Sequence, residues 1–201
     1  AELRALQAQV DPHFLFNTLE SIRTTAQMNQ DYKVAKMVHL LGNMFRWNIK
    51  TTGIIVDLKE EIDYVRSYIE LQKMRFDDAF DVQINIENNA LKLGILKLTL
   101  QPIVENAIQH GLDGMQSGGL ITIDGFLRDD KLVLRVSDNG KGMNPDKVAE
   151  ITASLSVIQE GGVLASIGLC NVHQRNCILF GEGNGLNITS APDEGTQIEI
   201  S

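Results

Sequence analysis

The hydrophobic period of this chain changes once, near residue 80, and that change limits the possible folds more than any other feature. Up to about residue 75 the apolar side chains recur every three or four positions: Leu3, Leu6 and Val10, then Leu15, Leu19, Ile22 and Ala26, then Val34, Val38, Leu41 and Phe45, with Asn48 in step. Such spacing lines one face of a helix. A polar turn at residues 29 to 31 divides the pattern into a helical hairpin. A third helix opens at "DLKEE", where Asp57 is placed to cap it and Glu60 to complete a capping box, and it runs on through Ile62, Val65 and Ile69. Two long amphipathic helices cannot bury both apolar faces against each other alone. The hairpin therefore predicts a homodimer through the N-terminal helices, completing a four-helix bundle.

From residue 80 the period is two. Phe80, Val82, Ile84 and Ile86 alternate with polar residues, "LITIDGFL" and "KLVLRVSD" repeat the alternation around an "RDDK" turn, and "GLNITSAPDEGTQIEI" reads as a final hairpin. Helical stretches lie between the strands at residues 98–110 and 169–180. Hairpins among strands, with helices to cover one face, predict an α+β chain: an N-terminal helical hairpin followed by an α/β sandwich with a mixed, largely antiparallel sheet. The expected division is residues 1–55 and 56–201. Residues 143–167, with Asn, Pro, Ser and a Gly161-Gly162 pair, predict a mobile loop.

The formal charge of −8 and the pI near 5.0 argue against a nucleic-acid or anionic-membrane surface, which needs clustered Lys and Arg. Any phosphate bound here is held by local groups. Cys170 and Cys177 stand seven residues apart, about 10 Å along a helix axis, so no disulfide is expected and a reducing compartment fits. No apolar run approaches the ~20 residues of a membrane span. The chain begins inside a helical pattern without Met, which suggests a piece of a longer protein.

Three short stretches carry chemistry. In "LQPIVENAIQHG", Asn106 and His110 lie one turn apart on a polar face shared with Thr99, Pro102 and Gln109, while Leu100, Val104, Ala107 and Ile108 lie opposite. An Asn carbonyl is a hard oxygen ligand that suits Mg²⁺. In "SDNGKGM", a strand with Leu132, Leu134 and Val136 inward ends in Asp138, followed by Gly140 and Gly142. A carboxylate on a rigid edge, with backbone free to approach a ligand, suits the amino group of a base, although an Asn-Gly turn leaving a strand looks the same. In "SIGLCNVHQR", Gly168 precedes a helix containing Leu169, Val172 and Ile178. Backbone N–H groups at such a start, with the roughly half positive charge of the helix terminus, suit a phosphate.

In order and spacing, "ENAIQHG", "DNGKGM", "IGLCNV" and the terminal Gly195-Thr196 resemble the asparagine and glycine boxes of the ATP-binding domain shared by sensor histidine kinases, gyrase and the heat-shock chaperone ATPases. That resemblance implies that Asn106 coordinates Mg²⁺, that Asp138 accepts from the adenine amino group, and that Gly140, Gly142 and Gly168 line ATP, with Leu169, His110 and Lys141 beside it. It also implies Thr196 beneath the adenine and a lid over residues 143–167. The N-terminal "ALQAQVDPHFLFNTLESI" and "VDLKEEIDYVRSYIELQKMRF" resemble the LytS/YesM type of sensor histidine kinase, which makes His13 the phosphorylated residue. A neutral imidazole is a capable nucleophile near pH 7. Asp11 and Pro12 either start a helix there or kink one begun near Leu3. His13, Asn17, Glu20 and Thr24 form a polar stripe that keeps the ring approachable.

The resemblance further implies ATP and Mg²⁺ as cofactors, and an aspartate on a response regulator receiver domain as the next acceptor. The chain would be the cytoplasmic portion of an inner- or plasma-membrane sensor held by segments outside it, residues 1–55 serving dimerisation and phosphotransfer and residues 56–201 catalysis. Three positions depart from the pattern. Ser166 replaces a glycine, Cys170 replaces a basic residue for which Lys141 or Arg175 could substitute, and Phe14 follows His13 where an acid is common. Glu105 is the catalytic acid-base candidate by analogy, with Glu20 and Asp11 as alternatives. An ATP-hydrolysing clamp and a non-catalytic signalling module are the competing readings.

Overall fold

The protein is described by a computed structural model covering residues 11–155 and 167–201. The expected helical residues Leu3, Leu6 and Val10, the Gly161-Gly162 pair and Ser166 lie outside the described residues. The chain forms two compact units, Ala1–Thr52 with Arg66–Asp77, and Gly53–Val65 with Asp78–Ser201.

The first unit is built on helices α1 (Pro12–Met28) and α2 (Tyr32–Lys50), joined by the end of α3 (Leu58–Arg75). Asp11 is extended and its side chain accepts the His13 N–H at 2.9 Å, while Pro12 occupies the first helical position, where its missing N–H costs nothing. Of the two sequence readings, the helix therefore starts at Pro12. At the turn, Gln30 adopts φ 61° and Asp31 caps α2 by accepting the Val34 N–H. Lys36 pairs with Glu70, and Lys33 with Asp77. The buried residues of α2 are Ala35, Leu40 and Met44, not the expected Val34 and Phe45, which remain more than a third exposed. The helix is apolar on two adjacent sides, and the hairpin covers one. On α1, Phe14 (64%) and Ile22 (45%) are left open in the same way.

The second unit carries a five-stranded sheet in the order β2 (Phe80–Ile86), β4 (Gly119–Arg128), β5 (Lys131–Asp138), β7 (Thr196–Ile200), β6 (Leu186–Ser190). Only β2 and β4 pair in parallel, so the sheet is mixed and largely antiparallel, as its sequence predicts. The "RDDK" turn pairs Arg128 with Lys131 and holds Asp129 and Asp130 at φ 51° and 60°, the left-handed pair that a two-residue hairpin requires. Ile121, Ile123, Leu134, Val136, Ile198 and Ile200 make the inner face. Against it pack α4 (Leu100–Asn106), continued by one π-helical turn at Ala107–Gly111, and α6 (Ile167–Phe180).

Three elements were not expected. Pro145–Leu155 forms α5 inside the stretch read as loop, with the Asn144 side chain accepting the Lys147 N–H to cap it. A short pair, β1 (Ile55–Asp57) with β3 (Gly94–Leu96), precedes α3, whose first N–H groups at Leu58 and Lys59 donate to the carbonyls of Leu93 and Leu91. Among the described residues no helix is long and apolar enough to cross a membrane.

Candidate active site

Strand β5 ends by delivering the Asp138 side chain to the inner face of the sheet, where the residue is 8% exposed. Gly140 N–H donates to Oδ1 at 2.9 Å. Burial pushes this carboxyl above the usual Asp range, while the N–H groups of Gly140 and Thr196 pull it back. A buried carboxylate held by backbone donors alone keeps acceptor capacity for a ligand's donor.

Three backbone segments close around it. A Cβ on Gly111 would lie 2.6 Å from the Asp138 carboxyl carbon, and one on Gly140 would run into the Gly111 carbonyl. Gly142 (φ 60°) and Gly195 (φ 77°) sit in the left-handed region, and a Cβ there would meet the carbonyls of Ala191 and Asp138 respectively. Hydrogen bonds stitch the segments: Lys141 N–H to Gly111 O (3.1 Å), Asp193 N–H to Lys141 O (2.9 Å), and Ser190 Oγ to Gly195 O (2.7 Å). Ser190 Oγ also accepts the Met143 N–H and lies 3.1 Å from the hydroxyl of buried Thr196. Asn139 holds the start of β4, accepting from Leu120 N–H and donating to Gly118 O. Gly111 and Ser190 were absent from the sequence candidates, and Gly195 entered only beside Thr196 in the resemblance. Their signal was faint: the "HG", "EG" and "TS" dipeptides that reach Asp138 only through folding.

On α4, Asn106 is half-buried and makes no side-chain hydrogen bond within the described residues, whereas Glu105 accepts from Gln109 Nε2 at 2.9 Å. The π turn that follows leaves His110 exposed and returns the chain to Gly111. A π turn of this kind recurs at functional sites. Lys141 pairs with exposed Asp113 at 2.9 Å, and its ammonium holds that carboxyl below the usual range. Gly168 lies within the first turn of α6 and is exposed, and among the described residues Pro102 Cβ is the nearest atom to an added methyl at 3.4 Å. Leu169 is buried, so its backbone rather than its side chain is available to a ligand. Of the two cations offered as substitutes at Cys170, Arg175 donates to the Lys97 carbonyl at 2.8 Å. Cys170 itself packs 3.7 Å from Ser154 Oγ.

In the first unit His13 is exposed, with Asn17 Nδ2 3.1 Å from Nδ1 and 3.4 Å from Nε2. Glu20 bonds Arg23, which holds its carboxyl below the usual range and makes it a poor base, and Asp11 is engaged as the cap. His39 is exposed and bonded to Asn43. His173 is half-buried and accepts the Leu186 N–H on Nδ1.

Residues 1–80 match the histidine kinase family model, and residues 93–201 match the family of histidine kinase-, DNA gyrase B- and HSP90-like ATPases. The chain belongs to the sensor histidine kinase family. It is 40% identical over 200 residues to sensor histidine kinase YesM of Bacillus subtilis, covering all of this chain and 33% of that protein. It is 33% identical over 201 residues to sensor protein LytS of Oceanobacillus iheyensis, covering all of this chain and 34% of that one. The chain thus spans about a third of the length of the curated relatives it matches. Its fold is that of the histidine kinase domain of a blue-light activated kinase from Erythrobacter litoralis, with TM-score 0.53, 17% identity, and 94% and 92% of the two chains covered. Residues 93–201, within the second unit, are of an ATP-using family.

Proposed function

We propose that this portion of the kinase binds Mg-ATP in its second unit, transfers the γ-phosphoryl group to His13, and passes it to an aspartate of a response regulator receiver domain. The observation that carries the reading is the buried Asp138 carboxylate walled by glycine backbone, in a chain whose other unit presents an exposed imidazole at a helix start.

Asp138 is suited to accept the adenine amino group, with Thr196 paired beside it in the sheet, and the glycines at 140 and 142 let backbone approach where a Cβ would strike a carbonyl. Asn106 fits a Mg²⁺ ion: the residue is half-buried, its side chain makes no hydrogen bond among the described residues, and its amide oxygen is of the hard type this ion prefers. When bound, the metal neutralises phosphate charge. The N–H groups at Gly168 and Leu169 and the positive end of α6 are the local donors for the phosphate oxygens in a chain of net charge −8. His110 and Lys141, both near Asp113, are the further candidates that the resemblance offers to the nucleotide.

At His13 the unprotonated ring nitrogen attacks the γ-phosphorus. An N–P bond forms as the bond to the bridging oxygen breaks, ADP leaves, and the remaining ring proton passes to solvent. The second transfer breaks N–P and forms an acyl phosphate on the receiver aspartate, regenerating the imidazole. Residues 1–55 serve dimerisation and phosphotransfer and residues 56–201 catalysis, on the cytoplasmic side of a membrane reached through segments outside this chain. The homodimer forms through the hairpin, whose open apolar faces need a second copy.

Incubation with γ-labelled ATP and Mg²⁺ tests the proposal. The expected product is acid-labile, alkali-stable label that His13→Ala abolishes and His39→Ala preserves. Free phosphate released without His13 would establish the hydrolytic clamp, and nucleotide binding with neither product a signalling module.

A further inference from the structure

We infer that Glu61 is a positioning residue for the metal-binding end of the nucleotide site: its buried carboxylate fixes the start of α4 and, through that short helix, the place of Asn106. The inference rests on the nucleotide reading above. Glu61 is 0% exposed on α3. Its Oε2 accepts the Leu98 N–H at 3.0 Å and its Oε1 the Leu100 N–H at 2.9 Å. Leu98 is left-handed at φ 60°, an unusual state for a leucine, and Thr99 follows at φ −87°, ψ −47°. That succession turns consecutive N–H groups toward one point, a concavity that ordinarily receives a bound anion. Here the protein supplies the anion itself. Burial raises the Glu61 carboxyl above its usual range, while the N–H groups of Leu100, Leu98 and Thr99, with the charge of Arg175, act in the opposite direction.

The consequence lies in what those bonds add to packing. Leu100, Ile103 and Val104 hold α4 against the sheet, but apolar burial is non-directional and permits a small slide along the axis. The bonds to Glu61 are directional and fix the axial position. Asn106 stands six residues beyond Leu100, about 9 Å along the helix, and inherits that position. A ligand oxygen misplaced by about 1 Å is enough to cost a large part of a phosphoryl-transfer rate. Asp138 takes its own place from the pairing of β5 with β7, and the α4 segment reaches it at Gly111, where the Lys141 N–H bond to the Gly111 carbonyl ties that end to the strand side of the site.

The test uses this 201-residue chain with adenosine, which reads the Asp138 end, and ATP with and without Mg²⁺, which reads the Asn106 end. Glu61→Gln is expected to leave adenosine affinity within about twofold and to reduce the Mg²⁺-dependent gain in ATP affinity at least tenfold, the signature that Asn106→Ala defines. Val65→Ala, fully buried on the same helix, removes packing without touching these N–H groups and should leave the gain within about twofold. Without nucleotide or metal, the backbone N–H resonances of Leu98 and Leu100 and the Asn106 side-chain amide should shift in Glu61→Gln and not in Val65→Ala. If Glu61→Gln does not fold, Glu61→Asp, one methylene shorter, is read by the same ratio. An unchanged gain, adenosine and Mg-ATP weakening together, or a Val65→Ala variant that reproduces the effect would overturn the inference. Wild-type chain that binds neither adenosine nor ATP overturns this inference and the nucleotide reading together. Wild type that binds both but never labels His13 overturns phosphotransfer alone.

Discussion

Replacing Asp138 by asparagine separates what this carboxylate does for a ligand from what it does to the fold. The change keeps the shape and one oxygen for the Gly140 N–H, but removes the charge and turns one acceptor into a donor. A hydrogen bond to a charged group contributes about 1.5–3 kcal/mol, so adenine nucleotides should bind roughly 10- to 150-fold more weakly. Specificity should change as well. Adenine presents an amino donor to this position and inosine a carbonyl acceptor, so the wild-type preference for ATP over inosine triphosphate should collapse in Asp138→Asn. The pH dependence has two opposite signs. Because burial raises the folded carboxyl, nucleotide affinity is present above that raised pKa and lost as pH falls through it, at higher pH than for an ordinary Asp. The same group favours the unliganded fold when protonated. That contribution is complete below the unfolded-state pKa and lost as pH rises through the folded one, so Asp138→Asn should melt no lower than wild type at neutral pH. Calorimetric titration of both nucleotides across pH, with thermal melts of unliganded protein, measures each term. An undiminished preference for ATP in Asp138→Asn, or an affinity as steep in pH as wild type, would refute the assignment of this residue to the base.

Other substitutions divide fold from function in different ways. Gly168→Ala has room for its methyl and replaces glycine in a helix, so melts should show a gain of roughly 0.5–1 kcal/mol while ATP affinity falls; wild-type affinity would remove Gly168 from the phosphate site. Gly140→Ala has no such room against the Gly111 carbonyl and should lose about 1–3 kcal/mol of stability together with binding, a coupled loss visible in paired melts and titrations. Ile22→Lys and Phe45→Lys place charge on open apolar faces of the hairpin, and sedimentation should show monomer while nucleotide affinity is preserved; a dimer of unchanged strength counts against the bundle.

Much of the architecture was legible because each period answers to one geometry. Val82, Ile84 and Ile86 alternate because a strand turns successive side chains to opposite faces, and Asp129-Asp130 accept the left-handed backbone of a tight hairpin. The inward face of α2 was not legible, because a helix apolar on two sides does not say which side its partner within the hairpin will take. Helix α5 was missed although Asn144 and Pro145 are its cap and first residue, since the Gly and Ser further along obscured them. Charge was the weakest guide. Lys141 and Arg175 were offered for phosphate from their place in sequence, yet one is paired with Asp113 and the other with a backbone carbonyl.

The candidate site illustrates the limit most sharply. Asp138 and its following glycines could be read from one short motif, but Gly111 and Gly195 matter only because register sets Asp138 opposite Thr196 on one side and Ile121 on the other. Gly195 then falls where any Cβ would strike the Asp138 carbonyl. A slip of one residue in β5 would turn the Asp138 side chain to the sheet's other face and bring Ser137 inward, abolishing the pocket while every motif stayed intact in sequence. What prevents the slip is the inward set Leu134 and Val136 on the same strand, which would be forced outward with it. The apolar alternation that dictates the sheet therefore also aims the one carboxylate proposed to recognise the base.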